Sequence, residues 1–411
     1  MSEEDQHQRH HTSERNPALD GIRGLAILWV FAFHAEALLL GGALDPPSNW
    51  GHALAAKGFL GVQLFFVLSG FLLARPWMQA ASDGSARPSP GAFLARRAGR
   101  ILPAYWLHLA VLFGLILPLL RGSYLILGTE IGWTNLALHV PLLHFLHPGS
   151  SSSLGLNMAL WSLSIEAQFY LLLPLLAPLF VGQRVLLSLP IAIALALLWK
   201  HLAPTLLLDW IYLTVPPSRL VFFDPVSGQA VAFPANMMRF FLERQLPGEF
   251  MAFALGMAGA NLFNRLERVT TDAQRQWHGL LDAAALVSGV LATWALITLP
   301  VMAVLAGAGW RNLGMPLFLV SCSLLILAAA RRTTLIDSLF ANPILAGIGL
   351  VSYSLFLWHE PILRLVAAGW LTPEPCSQPL CQVMVAFTIA LLVAILSYRF
   401  AERRILFRSG K

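Results

Sequence analysis

Residues 16–40 read NPALDGIRGLAILWVFAFHAEALLL, an apolar segment long enough to cross a lipid bilayer as one helix. Segments of the same kind recur along the chain. Inside hydrocarbon, which offers the backbone no water, such a segment must satisfy its own amides as a helix. The composition agrees, since 57% of the 411 residues are hydrophobic and 12% are charged. The sequence therefore predicts an all-α polytopic membrane protein with about ten transmembrane helices.

The expected spans follow one another without a visible internal repeat. They are residues 18–40, 58–78, 101–120, 158–181, 185–202, 247–264, 280–306, 312–330, 344–370 and 380–402. The sixth contains a short apolar stretch, from Phe250 to Phe263. The segment 133–146 is also apolar, but its His139, Pro141 and His144 favour an interfacial or re-entrant piece.

The chain is expected to form one transmembrane domain, at residues 16–404, between two cytoplasmic tails. The first tail, residues 1–15, is expected to be disordered, and the second covers residues 405–411. The first tail contains charges but no apolar segment, so it does not form a signal peptide. No soluble domain is expected at either end.

The net charge of +6 comes mostly from Arg in short connections, which does not indicate binding to nucleic acid. When the N-terminus is placed inside, most Lys and Arg residues fall on the cytoplasmic side, as the positive-inside rule requires. This distribution predicts that both termini are cytoplasmic. The expected location is the cell membrane, crossed several times, with the bilayer as the surrounding partner.

The first span carries ionisable residues, which are costly in a membrane and therefore mark a function or a tight pairing. Asp20 and Arg23 are three residues apart and can pair on one face. Arg23 and His34 also share a face, because eleven residues turn a helix by roughly 1100°, and they stand about 16 Å apart. Glu36 points away from His34, so a direct pair between them is excluded unless the helix breaks.

The fourth span contains Ser162, Glu166 and Tyr170, which recur every four residues and therefore line one face. Inside the bundle, Glu166 could orient the imidazole of His34, accept a proton or hydrogen-bond a sugar. A purely structural polar cluster is the alternative.

The sequence allows both a functional and a structural interpretation of two further polar segments. Arg96, Arg97 and Arg100 are suited to bind phosphate, but arginines on a cytoplasmic connection are also what the orientation rule alone predicts. The ninth span contains Trp358-His359-Glu360-Pro361, in which a helix interruption could line a cavity. It could equally be a kink whose freed carbonyls are satisfied by neighbouring residues.

Five motifs together resemble the membrane-bound acyltransferase family 3, whose members O-acylate carbohydrates and related molecules. The matching stretches are Leu19-Asp20-Gly-Ile-Arg23-Gly-Leu-Ala through His34, Phe65-Phe-Val-Leu-Ser69-Gly70, Arg96-Arg97-Ala-Gly-Arg100-Ile-Leu-Pro103, Trp161-Ser162-Leu-Ser-Ile-Glu166-Ala-Gln-Phe-Tyr170 and Tyr353-Ser-Leu-Phe-Leu-Trp358-His359-Glu-Pro361. The family is similar in having an Arg upstream of an essential first-span His, which correspond to Arg23 and His34. Its Arg-x-x-Arg pair corresponds to Arg97 and Arg100.

The resemblance implies an integral-membrane O-acyltransferase that moves an acyl group, acetyl or another short chain, from acyl-CoA to a carbohydrate, glycoside or polyketide hydroxyl. His34 would be the general base, assisted by Glu166. Arg23, Arg97 and Arg100 would bind the phosphates of the donor. The supporting residues would be Asp20, Ser69, Ser162, Tyr170, Trp358 and His359. No permanently bound cofactor is expected. No zinc ligand set is evident, so no metal is expected, and the lack of a Gly-x-Ser-x-Gly elbow argues against a serine-hydrolase route.

A transporter or flippase without acyl-transfer chemistry is the main alternative, because polar residues in membrane helices also mark transport pathways. The missing repeat argues against it. A non-catalytic scaffold or sensor is the third hypothesis. Cys376 and Cys381 share one outer connection, and the spacing leaves open whether they form a bridge.

Overall fold

The structure is a computed structural model. It describes residues 15–40, 49–119, 128–151, 157–215, 220–223, 230–232, 235–267, 271–299, 309–372, 376 and 378–402. Residues 1–14 and 405–411 of the expected tails lie outside this range. The longer elements are α1 Pro17–Leu39, α2 Trp50–Ala55, α3 Leu60–Asp83, α4 Pro90–Val111, α5 Glu130–His139, α6 Trp161–Leu176, α7 Val185–Thr214, β1 Val221–Phe223, β2 Ala230–Ala232, α8 Ala235–Glu243, α9 Leu246–Leu266, α10 Thr271–Thr298, α11 Met315–Ala330, α12 Thr334–Phe340, α13 Pro343–Leu350, α14 Ser352–Ala367 and α15 Pro379–Ser397.

Eight helical stretches among the described residues are long and apolar enough to cross a membrane. They are Pro17–Leu39, Leu60–Asp83, Pro90–Ile116, Met158–Phe180, Gly182–Thr214, Trp277–Thr298, Asn312–Ala330 and Pro379–Glu402. Each overlaps one of the expected spans. The prediction of an all-α, multi-pass membrane protein is confirmed.

The other two expected spans have a different character. The sixth is α9, a helix of 21 residues whose side chains are mostly buried among other helices rather than facing lipid. The ninth was predicted as one span at 344–370, and this was wrong. Val351, with φ −97° and ψ 9°, leaves the helical conformation and divides the segment into α13 and α14.

Two connections contain short elements. Within the apolar segment 133–146, α5 ends at His139, so this ten-residue helix is too short to cross hydrocarbon. After α7, the antiparallel strands β1 and β2 pair Val221 with Ala232 and Phe223 with Ala230. The helix α8 then leads into α9.

The centre of the bundle depends on close contact between α3 and α9. A methyl group on Gly70 would overlap the carbonyl oxygen of Phe253, and one on Gly256 would overlap that of Val67. Small residues at such positions let helix backbones approach, which is how membrane helices gain packing energy. The contact holds α3, which carries Ser69, in a fixed register inside the bundle.

Candidate active site

A cavity of ≈ 280 Å³ lies between α1, α3, α4, α6 and α14. Its walls come from all five motifs singled out in the sequence. The lining residues include Arg23, Ser69, Arg97, Arg100, Ser162, Glu166, Tyr170, Tyr353 and Phe356. Seven of the eleven residues selected from the sequence therefore line one space, although they are spread over 148 positions from Arg23 to Tyr170.

Three guanidinium groups are gathered at this cavity. Arg23 Nη1 donates to Asp20 Oδ1 at 3.1 Å, which confirms the predicted pair on the first span. The guanidinium of Arg97 lies over the ring of Phe93, 5.8 Å from its centroid, and its buried Nε has no hydrogen-bond partner in the structure. Arg100 lies one turn further along α4. A planar, permanently charged fork with free donors is suited to phosphate or carboxylate oxygens.

Glu166 lies among these arginines rather than beside His34. Its Oε1 accepts hydrogen bonds from Ser69 Oγ at 2.5 Å and from Tyr170 Oη at 2.6 Å. The two hydroxyl donors hold the carboxylate in place. Its negative charge partly balances the positive charges of the three arginines. Among the described residues, the structure records no ion pair between Glu166 and His34.

The carboxylate in contact with His34 belongs to Glu360. His34 Nδ1 lies 3.8 Å from Glu360 Oε2, and its side chain is 15% exposed. Glu360 is fully buried, and Arg364 holds its Oε1 through Nη2 at 2.7 Å and Nε at 3.1 Å. The backbone N–H of Ala159 donates to Oε2 at 3.0 Å. The distance of 3.8 Å exceeds a hydrogen bond, but contacts of catalytic groups are often long before substrate binds.

The lining of the cavity does not include His34. It does include Phe356, whose ring lies 5.8 Å from that of His359. The ring of His359 in turn makes an edge contact with His34 at 5.0 Å. Phe356 and His359 therefore connect the wall of the cavity to the His34–Glu360 pair.

The helix α14 holds this pair in place and continues through Pro361. Of the two possibilities that the sequence left open here, the structure shows the second, in which a neighbouring residue satisfies the carbonyl freed by the proline. Pro361 has no N–H to donate to the carbonyl of Leu357. Instead, Asn157 Nδ2 donates to that oxygen at 2.9 Å. This contact and the one from Ala159 fix the start of α6 against α14.

Other side chains near His34 satisfy each other. Glu36 is hydrogen-bonded to His52 Nδ1 at 2.8 Å, so its carboxylate has a partner other than His34. Beyond the C-terminal end of α14, Cys376 and Cys381 form a disulfide, which answers the question that their spacing left open.

Sequence reasoning missed several residues of this site. Glu360 was seen only as part of a motif, because nothing in the sequence indicates that it meets a side chain of the first span. Tyr353 and Phe356 appeared in the sequence only as members of the fifth motif and were not selected as site residues, yet they line the cavity. His108 and Asn157 lie in stretches where no periodic polar pattern draws attention to them.

The fold and the site define a class: a multi-pass membrane protein that carries a cationic cavity and a buried His–carboxylate pair. The family model of the membrane-bound acyltransferase family 3, described as an acyltransferase domain, matches residues 16–399. The chain therefore belongs to this family of acyltransferases, as the five motifs predicted.

Named relatives agree with this assignment. The peptidoglycan O-acetyltransferase OatA of Listeria monocytogenes is 27% identical, over 94% of this chain and 55% of its own length. A Staphylococcus aureus protein named "Putative O-acetyltransferase" is 23% identical, over 94% of this chain and 56% of its own length. The chain thus spans about half the length of these relatives. No solved structure matches it.

Proposed function

We propose that this protein transfers an acetyl or other short acyl group from acyl-CoA, bound at the arginine cavity, to a hydroxyl of a cell-envelope glycan. The observation that supports this most directly is that α1 carries both Arg23, which lines the cavity together with Arg97 and Arg100, and His34, which lies beside Glu360. A long donor with phosphates at one end and a thioester at the other fits this geometry. The glycan acceptor is suggested by the names of the relatives.

In the proposed reaction, the oxygen of the acceptor hydroxyl attacks the thioester carbonyl while its proton passes to Nε2 of His34. The carbon–sulfur bond then breaks, and the imidazolium returns the proton to the thiolate, so that the products are an ester and free CoA. Glu360 faces Nδ1 and would stabilise the imidazolium. The ordinary pKa of an imidazole lies near neutral pH, so such a ring can both take up and release a proton during the reaction.

Phe356 has a defined part in this proposal. The thioester must pass from the cavity to His34, and Phe356 is the lining residue whose ring contacts lead through His359 to His34. We expect this ring to change rotamer when the acyl end of the donor arrives. Lids and side chains that close a site until substrate binds also exclude water from a reactive thioester.

The disulfide supports an orientation in which the donor binds from the cytoplasm. It joins Cys376, which follows α14, to Cys381 in the first turn of α15, and disulfides persist in oxidising compartments outside the cytoplasm. The N-terminal end of α14 contributes Ser352 and Tyr353 to the cavity. If the C-terminal end of α14 faces outward, the arginine cavity faces the cytoplasm of a plasma-membrane protein, with both termini inside.

The test is an acyl-transfer assay with the purified, reconstituted protein. Radiolabelled acetyl-CoA and a soluble N-acetylglucosamine oligosaccharide are supplied, and thiol release and the mass of the sugar are followed together. We expect one thiol per acetylated sugar, and no product with His34→Ala. The matched control is His201→Ala, which removes an exposed imidazole bonded to Asn312. Equal product from the wild type and His34→Ala, or thiol release without sugar acetylation across an acceptor panel, would contradict the proposal.

A further inference from the structure

A second group of polar side chains lies beside His34. The helices α4 and α14 and the segment that leads into α6 carry it, each next to residues that line the cavity. In α4, His108 follows Arg100 by eight residues, about 12 Å of helix; in α14, Trp358 and His359 follow the cavity-lining Tyr353. Asn157 precedes the cavity-lining part of α6. We call His108, Asn157, Trp358 and His359 the polar cluster.

The polar cluster is continuous with His34. The rings of His108 and Trp358 meet edge-on at 4.8 Å, and Asn157 Nδ2 lies 3.2 Å from His108 Nε2. His359, which follows Trp358 in α14, contacts the ring of His34 at 5.0 Å. All four side chains are at least nine-tenths buried, with relative exposures from 0% for His108 to 6% for Trp358.

Each member of the polar cluster has a buried polar atom without a hydrogen-bond partner in the structure. These atoms are His108 Nδ1, Asn157 Oδ1, Trp358 Nε1 and His359 Nε2. An unsatisfied buried polar group costs about 1–3 kcal/mol, so four within one group are unusual. Something outside this chain is expected to satisfy them.

The contacts that are present decide which atoms donate and which accept. His359 Nδ1 lies 2.8 Å from the carbonyl of Phe356, which can only accept, so Nδ1 carries the hydrogen and Nε2 is an acceptor. The amide of Asn157 donates to Leu357 through Nδ2, so Oδ1 is an acceptor. The same Nδ2 faces His108 Nε2, which leaves Nδ1 of His108 as a donor. The indole Nε1 of Trp358 can only donate.

We propose that the polar cluster is the binding subsite for the hydroxyl-bearing end of the acceptor. Two donors and two acceptors in one buried group match a polyhydroxylated molecule, since each hydroxyl both donates and accepts. The subsite adjoins His34 through the ring of His359, so an acceptor hydroxyl held by the polar cluster would lie near the base. This inference rests on the proposed function for the identity of the bound molecule as an acyl acceptor.

The deciding variant is Trp358→Phe, which removes the Nε1 donor and keeps an aromatic ring. We expect the dissociation constant of a soluble N-acetylglucosamine oligosaccharide to rise about three- to tenfold, the value of one hydrogen bond. The affinity for acetyl-CoA should stay unchanged. The melting temperature should not fall, because the lost donor has no partner in the folded protein.

The matched control is Trp199→Phe. Its Nε1 donates to the carbonyl of Leu242 at 2.8 Å, so the same chemical change breaks a bond inside the protein. This variant should lower the melting temperature and leave oligosaccharide affinity unchanged. A second test variant, His108→Gln, keeps an acceptor towards Asn157 but displaces the donor from the position of Nδ1, and it should also weaken oligosaccharide binding.

The outcomes separate this inference from the proposed function. Unchanged oligosaccharide affinity in both Trp358→Phe and His108→Gln overturns the subsite, as does a wild-type protein that does not bind the oligosaccharide. A wild type that binds it, with weaker binding in the variants, but releases no thiol from acetyl-CoA supports the subsite and rejects the proposed donor chemistry.

Discussion

Two carboxylates, Glu249 in α9 and Glu360 in α14, are buried at similar depth but have different surroundings. Glu249 lies 3.1 Å from Arg244 Nη1 and 3.6 Å from Lys200 Nζ, and it accepts from Gln63 at 2.6 Å. Both of its cations are themselves buried, and Arg244 also lies over the rings of Trp161 and Phe240. Glu249 therefore joins the helices α3, α7 and α9 and the connection after α8 in a closed ion-pair group.

Glu360 differs because one of its partners can change its protonation state. Arg364 and the N–H of Ala159 fix the carboxylate, whereas the imidazole of His34 stands 3.8 Å away and is partly exposed. Buried atoms without partners surround this second group. The comparison teaches that burial of a charge does not indicate chemistry by itself. An unsatisfied, titratable neighbour is the more informative sign.

The largest effect on activity is expected for His34→Ala. Removal of a general base lowers the rate about 10²- to 10⁴-fold. The melting temperature should change little, because the ring makes no hydrogen bond to described residues. Single-turnover transfer of radiolabelled acetyl groups measures the rate. A rate within a few-fold of the wild type would remove His34 from the chemistry.

The second prediction compares the two carboxylates directly, with Glu360→Gln and Glu249→Gln. Glu360→Gln should lower kcat about 100-fold, because the imidazolium loses its stabilising charge. Glu249→Gln should lower stability by about 3–5 kcal/mol, since two buried cations lose their partner, while the folded fraction keeps its kcat. Activity per folded molecule and thermal unfolding separate these outcomes. An equal loss of kcat in both variants would contradict the proposed difference between Glu360 and Glu249.

A smaller effect is expected at the arginine cavity. Arg97→Gln combined with Arg100→Gln should raise the KM for acyl-CoA about 10- to 100-fold, since each charge-assisted hydrogen bond contributes about 1.5–3 kcal/mol. Arg96→Gln, which changes the neighbouring guanidinium outside the cavity, is the control. Titration of the donor at saturating acceptor measures the effect. An unchanged KM would mean that the donor does not bind there.

The smallest effect is predicted for Tyr170→Phe. It removes one of the two hydroxyl donors to Glu166 and leaves Ser69 in place. Loss of one hydrogen bond to a carboxylate corresponds to about 1.5–3 kcal/mol at most, and the mobile carboxylate should then pair with a neighbouring guanidinium. We expect a rise of a few-fold in donor KM with unchanged kcat. A change in kcat alone would instead place Glu166 near the reacting atoms.

Local patterns were sufficient for the membrane helices and for most of the cavity. Apolar length predicted the spans, and helical periodicity placed Asp20 with Arg23 and Ser162 with Glu166 and Tyr170 on shared faces. The division at Val351 was missed, although Gly347 and Gly349 lie just before it and glycine is a poor helix former. The assignment of carboxylates also failed at this level. Whether Glu166 or Glu360 faces His34 depends on how α6 and α14 pack against α1, which is a tertiary property.

The missing N–H of Pro361 has a consequence for the mechanical behaviour of the bundle. The carbonyl of Leu357 would normally accept a hydrogen bond within the helix, but here it accepts one from Asn157. The proline therefore creates a link between α14 and the segment that leads into α6. Any tilting of α14 would therefore also move the segment that leads into α6. The site residues on α14 and those on α6 would then move together.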